Sequence, residues 1–469
     1  LYRLRDAGFM GFLVGGCVRD LLIGIEPKDF DVATDALPEE LKRLFRNCRL
    51  VGRRFRLAHV FFGREIIEVA TFRATSAPSQ GDEPLPAADP EDGESPELDD
   101  ADSEAPDLPV IARPRRSGRD RGTAEGDDAG ARMLDASGRI LRDNVYGTID
   151  EDVWRRDFTA NALYYNIADF SIWDYVGGFE DVAGRTLKLI GDPETRFRED
   201  PVRMLRAARF EAKLGFTIDP ATARPIGVLR ELLAAVPPAR LFDETLKLFL
   251  TGHGARSFPV LRRRGLLAAL LPTVDGYFAS HPGSLVEKLL VQGLENTDAR
   301  VATDKPVTPT FLFALLLYGP IAGIIEATPP ERWHELATIL DACDQATREA
   351  QSRIAIPKRF SLGVREMFAL QPRLEHPRGR RALRVLEHPR FRAAYDLLLL
   401  RAQFGLAQTE MAQWWTRLQE VSAEERGTMA DALTGGTRAG SAAAPRTDRA
   451  PRRRGGRRRG RRTTKPAAP

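Results

Sequence analysis

The sequence predicts an α+β chain: a small mixed-sheet head with helices, followed by an all-helical neck and body. Two patterns carry this expectation. Up to about residue 75, short apolar runs alternate with helical stretches. From about Glu199 onward, apolar residues recur at helical spacing with few strand candidates. A third observation sets the limits of the folded part: two tracts are too charged to bury a core.

In order, "GFLVGG" reads as a strand closed by Gly15-Gly16, and "VRDLLIG" as a helix starting near Val18. "DFDVAT" is a strand, "PEELKRLF" a helix, and "LAHVFF" and "IIEVATF" two more strands. Further on, "TANALYYNIADFSIWDYV" and "TLKLIG" continue as short elements with a hairpin. The helical part runs through "PVRMLRAARFEAKLGF", "RLFDETLKLFLTG", "VLRRRGLLAALLP" and "PTFLFALLLYG", then Glu331 to Ala350 and Pro389 to Val421. The expected domains are a head at 1–165, a neck at 166–255, a body at 256–430 and a tail at 436–469.

The net charge of +4 over 469 residues hides two opposed tracts. Asp82 to Asp107 holds twelve carboxylates and no Lys or Arg, inside an expected disordered insertion at about 76–132. Gly436 to Pro469 holds eleven Arg and one Lys against Asp448 alone, and reads as a disordered cationic tail. Clustered arginine attracts a polyanion by releasing its counterions, so the tail points to RNA. The three cysteines, Cys17, Cys48 and Cys343, have no C-x-x-C spacing. A disulfide scaffold and a zinc ribbon are therefore not expected, and the compartment is a reducing cytoplasm. No run approaches the roughly 18 apolar residues of a membrane helix, and no signal peptide is visible. Leu1 opens the chain inside a helical pattern, so residues are expected to precede it.

Gly15-Gly16 lets backbone N–H groups approach a ligand, and a helix start behind it favours an anion. Read alone, such a pair is more often a plain turn. Asp29 and Asp31 stand at i and i+2, so on a strand both carboxylates face one side. They are either a solvated face near Lys28 and Lys42 or the seat of a hard divalent cation. Glu68 sits inside an apolar run, sharing a face with Ile66 and Ala70, where a carboxylate is costly unless paired or metal-bound. Three acids beside a glycine turn suggest two-metal phosphoryl transfer.

"LVGGCVRDLLIG" followed by "KDFDVAT" resembles the class II nucleotidyltransferases of the polymerase β superfamily, which include bacterial poly(A) polymerases and tRNA CCA-adding enzymes. The resemblance continues through "WRRDFTANALYYN", "DYVGGFEDV", "REDPVRMLRAARF" and "PARLFDETLKL". "LVGRRFRLAHV" and the Arg-rich tail resemble the poly(A) polymerase branch. The resemblance implies a polymerase β-like head with Mg²⁺ or Mn²⁺ on Asp29, Asp31 and Glu68. It places the ATP triphosphate at Gly15, Gly16 and Arg19, and the sugar and phosphates at Arg156 and Asp157. Asp157 is equally readable as a helix N-cap. In "REDPVRMLRAARF", Asp200, Arg203 and Arg206 fall at spacing three on one face. The resemblance makes Asp200 and Arg203 the template for the base edge, with Glu199 orienting Arg203. Arg240, Glu244 and Lys247 read as a structural ion-pair face. His59 reads as a packing or RNA-contact residue.

The implied activity is template-independent AMP addition from ATP to RNA 3′ ends. Arg53, Arg54, Arg56, Arg452, Arg453, Arg454, Arg457, Arg458 and Arg459 are the expected RNA contacts. The alternatives are CCA addition to tRNA and an inactive RNA-binding protein on the same fold. A monomer without membrane attachment is expected; RNA-decay or RNA-chaperone partners are not readable. Deleting 436–469 should raise the apparent KM for RNA, most strongly at low salt, and leave the KM for ATP unchanged. Equal RNA KM and equal salt slope with and without the tail would refute its role.

Overall fold

The computed structural model describes residues 1–52, 56–63, 65–74, 133–134, 140–142 and 146–435. The expected acidic insertion, Arg53, Arg54 and the Arg-rich tail lie outside the described residues. The described residues divide into two compact units, one spanning Leu1–Phe368 and one beginning at Ala369.

The first unit opens with α1 (Tyr2–Asp6), β1 (Gly11–Val14), α2 (Gly16–Leu22), β2 (Asp31–Thr34) and α3 (Pro38–Leu44). Then come β3 (Cys48–Val51), β4 (Leu57–Phe62) and β5 (Glu65–Thr71). A two-stranded ribbon, β6 (Met133–Leu134) with β7 (Ile140–Arg142), stands apart, followed by α4 (Ile149–Arg155), β8 (Leu163–Asn166) and β9 (Ile172–Asp174). Seven of these strands form one sheet in the order β3-β4-β5-β2-β1-β8-β9. Only β2 and β5 run parallel; the other pairs are antiparallel. The sheet extends past the expected head boundary at 165, because the β8–β9 hairpin completes it.

Alternation along the strands gives each face its own core. One face carries Phe12, Val14, Ala33, Phe72 and Tyr164 under Ile149 and Val153 of α4. Phe12 is the centre of its aromatic packing, with ring centroids 6.0 Å from Tyr164 and 5.0 Å from Trp173. The other face carries Val32, Ala58, Val60 and Val69 against Leu4, Leu41 and Phe45. A capping box starts α4: Thr148 Oγ1 accepts from the Glu151 amide and Glu151 accepts from the Thr148 amide at 2.8 Å.

After β9 the chain forms α5 (Gly178–Ala183), α6 (Pro193–Glu199) and α7 (Val202–Leu214). Asp192 caps α6, accepting from the Thr195 amide at 2.8 Å, with Pro193 suited to the first turn. Gly215, at φ +68°, ends α7. Val202, Met204, Leu205, Ala207 and Ala208 of α7 are fully buried, as its helical spacing predicts.

The helical remainder includes Pro238–Phe249, Gly254–Arg263, Leu285–Ala302 and Leu336–Gln351. The stretch expected to start at Glu331 forms only a short 3₁₀ turn, Pro330–Arg332, before the helix begins at Leu336. In the second unit the stretch expected to be continuous from Pro389 divides into Phe391–Gln403 and Thr409–Glu420. The physical reason is Gly405, whose φ of +70° cannot continue a right-handed helix. Trp415 is fully buried there, its indole N–H donating to the Leu374 carbonyl at 2.7 Å. No single helix among the described residues is long and apolar enough to cross a membrane.

Gly178 is packed against rigid backbone. A Cβ on it would stand 2.2 Å from the Thr159 carbonyl oxygen, a rigid backbone atom. Gly178→Ala should cost about 1–3 kcal/mol in urea denaturation. An unchanged midpoint would show that this contact can relax.

Candidate active site

Register places the acids. Val14 pairs with Asp31, and Asp31 pairs in turn with Glu68. Residues paired across strands lie on one face. This is the α4-covered face, and its apolar cover stops at Val14, so the acids emerge where the cover ends. Asp29 is not on the strand: β2 begins at Asp31, and Asp29 lies in the irregular segment before it. The i, i+2 strand argument therefore does not apply to Asp29, although its charge is near enough to raise Asp31.

Glu68 is not the buried carboxylate its neighbours suggest. Ile67, Val69 and Thr71 point to the packed face, whereas Ile66 is 48% exposed and the Glu68 side chain 51% exposed. The desolvation cost is therefore small, and Glu68 has a neighbour instead: its Oε1 lies 3.5 Å from His59 Nε2. Asp31 feels its surroundings more strongly. Partial desolvation first, then the charges of Glu68 and Asp29, raise its carboxyl above the ordinary range, with Arg156 opposing. Among the described residues no three or more His, Cys, Asp or Glu groups are gathered closely enough to hold a metal alone. The crowded oxygen donors fit a hard cation of the kind held by one or two carboxylates with substrate phosphates.

Gly15 takes φ +78°, a left-handed value that favours glycine. A Cβ there would meet Asn161 O at 3.7 Å and Arg156 Nη1 at 3.9 Å, so Arg156 lies over the turn. Arg156 is set by Asp152, which its Nη2 meets at 2.9 Å, and by the Tyr164 hydroxyl, 2.7 Å from its Nε. Burial alone would weaken its charge, but Asp152 and Tyr164 outweigh burial and raise it. Arg19 departs from expectation. It is 2% exposed, its Nε donates to Asp20 at 2.8 Å, and its Nη1 donates to Asn161. Its guanidinium still lies 3.5 Å from the Cβ position of Gly16, so it backs the turn while its donors are held by protein.

Asp157 does not cap a helix; it follows the C-terminal end of α4. Its carboxylate accepts from Arg203 Nε at 2.9 Å and from Arg206 Nε at 2.6 Å. Burial would raise it, but Arg206 and Arg203 outweigh burial and hold it below the usual carboxylate range. Arg203 also donates through Nη1 to Glu199, at 3.0 Å, and to the Arg196 carbonyl, at 2.7 Å. Its Nη2 donates to no group among the described residues.

Asp200 leaves the face shared by Arg203 and Arg206. It ends α6 and takes a two-pronged bond from Arg240, at 2.8 and 2.6 Å. Arg240 is thus bound to a candidate base-reading residue rather than to its own helix face, a pairing across forty residues that no local pattern shows. Glu244 does pair locally, with Lys247 at 3.3 Å. Sequence reading also missed Arg196. Its Nη2 donates to the carbonyls of Arg155 and Arg156 at 2.9 and 2.7 Å, fastening α6 to the segment that carries Arg156 and Asp157. Arg56 pairs with Glu39 at 3.0 Å. Arg53, Arg54, Arg452, Arg453, Arg454, Arg457, Arg458 and Arg459 lie outside the described residues.

A head of this topology, with a helical neck behind it, is the fold of the nucleotidyltransferases. A tRNA-processing enzyme complex of solved structure shares it, with a TM-score of 0.54 and 17% identity, over 93% of this chain and 99% of that one. Family models place the Poly A polymerase head domain at residues 11–188 and the probable RNA and SrmB-binding site of polymerase A at 215–278. The polymerase A arginine-rich C-terminus matches residues 331–461. Poly(A) polymerase I of Salmonella typhi is 43% identical over 440 residues, 92% of this chain and 84% of that protein. The chain belongs to the bacterial poly(A) polymerase family. The CCA-adding enzyme of Lactobacillus helveticus is more distant, 30% identical over 260 residues and 55% of this chain.

The electrostatics of Asp31 give a test. A carboxyl raised in the folded state costs stability above its folded pKa, and the cost disappears below the unfolded value of about 4. Asp31→Asn should therefore raise Tm at pH 7 while abolishing AMP transfer, with no Tm gain near pH 3. A lower Tm at pH 7 would show that Arg156 outweighs Glu68 and Asp29.

Proposed function

We propose that this chain transfers AMP from ATP to RNA 3′ ends without a template and releases pyrophosphate. The observation that carries the reading is the paired row Asp31–Glu68 opening beside the Gly15–Arg156 turn, in a member of this family. The polyanionic triphosphate is held at Gly15 and Gly16, under Arg156. Arg206, whose side chain is 31% exposed and bonded only through Nε among the described residues, adds a second cation. Asp157, kept ionised by its arginines, accepts from the ribose hydroxyls. The base lies against Asp200 and Arg203. Asp200 accepts from the adenine amine, and Arg203 Nη2 donates to the adjacent ring nitrogen.

Asp29, Asp31 and Glu68 offer only hard oxygen donors and would hold Mg²⁺ or Mn²⁺. Bound there, the ion would supply Lewis-acid stabilisation of charge at the attacking and leaving oxygens. The RNA 3′-hydroxyl is the nucleophile, and Asp31 and Glu68 orient it toward the α-phosphorus. Arg196 and Arg240 act as positioning residues, the first for Arg156 and Asp157, the second for Asp200.

Incubating generic RNA with each single nucleotide tests the reading. ATP alone should give long tails, and CTP alone little product. Addition of two C and one A to tRNA only would establish CCA addition instead. Arg203→Lys keeps the charge but loses the planar fork. It should lower kcat/KM for ATP by about 10–100-fold and narrow the preference for ATP over CTP. An unchanged preference would place base selection elsewhere.

A further inference from the structure

The paired row does not end at Glu68. Glu68 pairs with His59 on β4, and His59 pairs with Arg49 on the edge strand β3. Arg49, His59, Glu68 and Asp31 therefore stand side by side on four adjacent strands, on one face. One step along the same strands, Phe61 pairs with Ile66 and adds an aromatic and an apolar side chain to that face. Strands are ~4.8 Å apart, so Arg49 lies about 14 Å from Asp31 across the sheet. Ile66 is 48% exposed, and Arg49 is exposed with no ion-pair partner among the described residues. The groups read above as nucleotide-binding, Gly15, Gly16 and Arg156, all lie on the opposite side of Asp31, toward β1 and β8.

We propose that Arg49, His59, Phe61 and Ile66 form the subsite for the last nucleotides of the RNA acceptor, with Arg49 on the final internucleotide phosphate. The inference rests on the adenylyl-transfer reading and names where its second substrate enters. Two substrates that react at Asp31 must approach it from two sides, and the β1 side is taken by the triphosphate. On the other side the open face offers an unpaired cation for a phosphate and Phe61 with Ile66 for an unstacked base. His59 stands between the phosphate contact and Asp31, its Nε2 3.5 Å from the Glu68 carboxylate. The subsite touches backbone and one base face, so it takes RNA ends without strong sequence preference.

The test is a cycle between protein and substrate in the full chain. A fluorescent oligoadenylate is prepared with its last linkage either natural or as a neutral methylphosphonate. Binding is read by anisotropy in EDTA, and turnover separately with Mg²⁺. Arg49→Ala should weaken binding of the natural oligonucleotide and raise its KM by about tenfold, with the KM for ATP unchanged. The neutral linkage should cost the unaltered protein the same factor and cost Arg49→Ala nothing further. Arg49→Lys should recover part of the loss. Multiplying losses, or an Arg49→Ala affinity equal to that of the unaltered protein, would overturn the proposal. Absence of AMP incorporation by the unaltered protein would sink the adenylyl-transfer reading instead, while the EDTA cycle still decides the subsite.

Discussion

Strand register is the constraint on which the site depends. Val14, Asp31, Glu68 and His59 face the same side only because β1, β2, β5 and β4 pair at these positions. A slip of one residue in β2 would turn Asp31 into the core beneath α1 and α3 and expose Val32. The two apolar faces resist that slip. Phe12, Val14 and Ala33 are buried on one side, and Val32 and Val69 on the other. Packing that touches no ligand thus sets where the carboxylates emerge, and the end of the α4 cover sets how much water they keep.

A second constraint joins sheet to neck. Asp157 lies between Arg203 and Arg206, and Arg203 also reaches Glu199 and the carbonyl of Arg196. Arg196 closes the circuit onto the backbone of Arg155 and Arg156. Removing one partner from such a buried network leaves another charge uncompensated, so its members hold one another in place. The proposed sugar-binding group Asp157 and the base-reading Arg203 are consequently parts of one bonded network. Its bonds are aimed so that Arg203 Nη2 and most of the Arg206 fork stay available. Asp200 belongs to a neighbouring pair with Arg240, so the two base-reading groups are supported from different helices.

Some inferences from local pattern failed. Glu68 looked costly because its neighbours in the chain are apolar, but alternate residues of a strand face different environments, and its own face is open. Arg19 is one turn inside a helix and looked free to reach a phosphate; Asp20 and Asn161 hold it. Arg240 read as part of a structural ion-pair face with Glu244 and Lys247 at helical spacing, yet its partner is Asp200, at the end of α6. For Glu68 and Arg240 the deciding surroundings lie across the sheet or far along the chain; Arg19 is held both by the adjacent Asp20 and by the distant Asn161.

Local pattern in the chain was not enough for β3 or the β6–β7 ribbon, but it was enough for the α/β head and helical remainder, the acids of "KDFDVAT", the glycine turn and the amphipathic α7. These follow from periodicity, turn chemistry and contiguous motifs, which are local properties of the chain. Which acids share a row, which arginines are already occupied, and that His59 and Arg49 continue the row beyond Glu68 emerge from the folded chain. Those outcomes depend on strand pairing and on charges brought together across intervals of forty residues or more, such as Asp200 with Arg240 and Asp157 with Arg203. A carboxylate or guanidinium carries no local mark of its partner, because its ionic bond is made by whatever the folded chain places within reach.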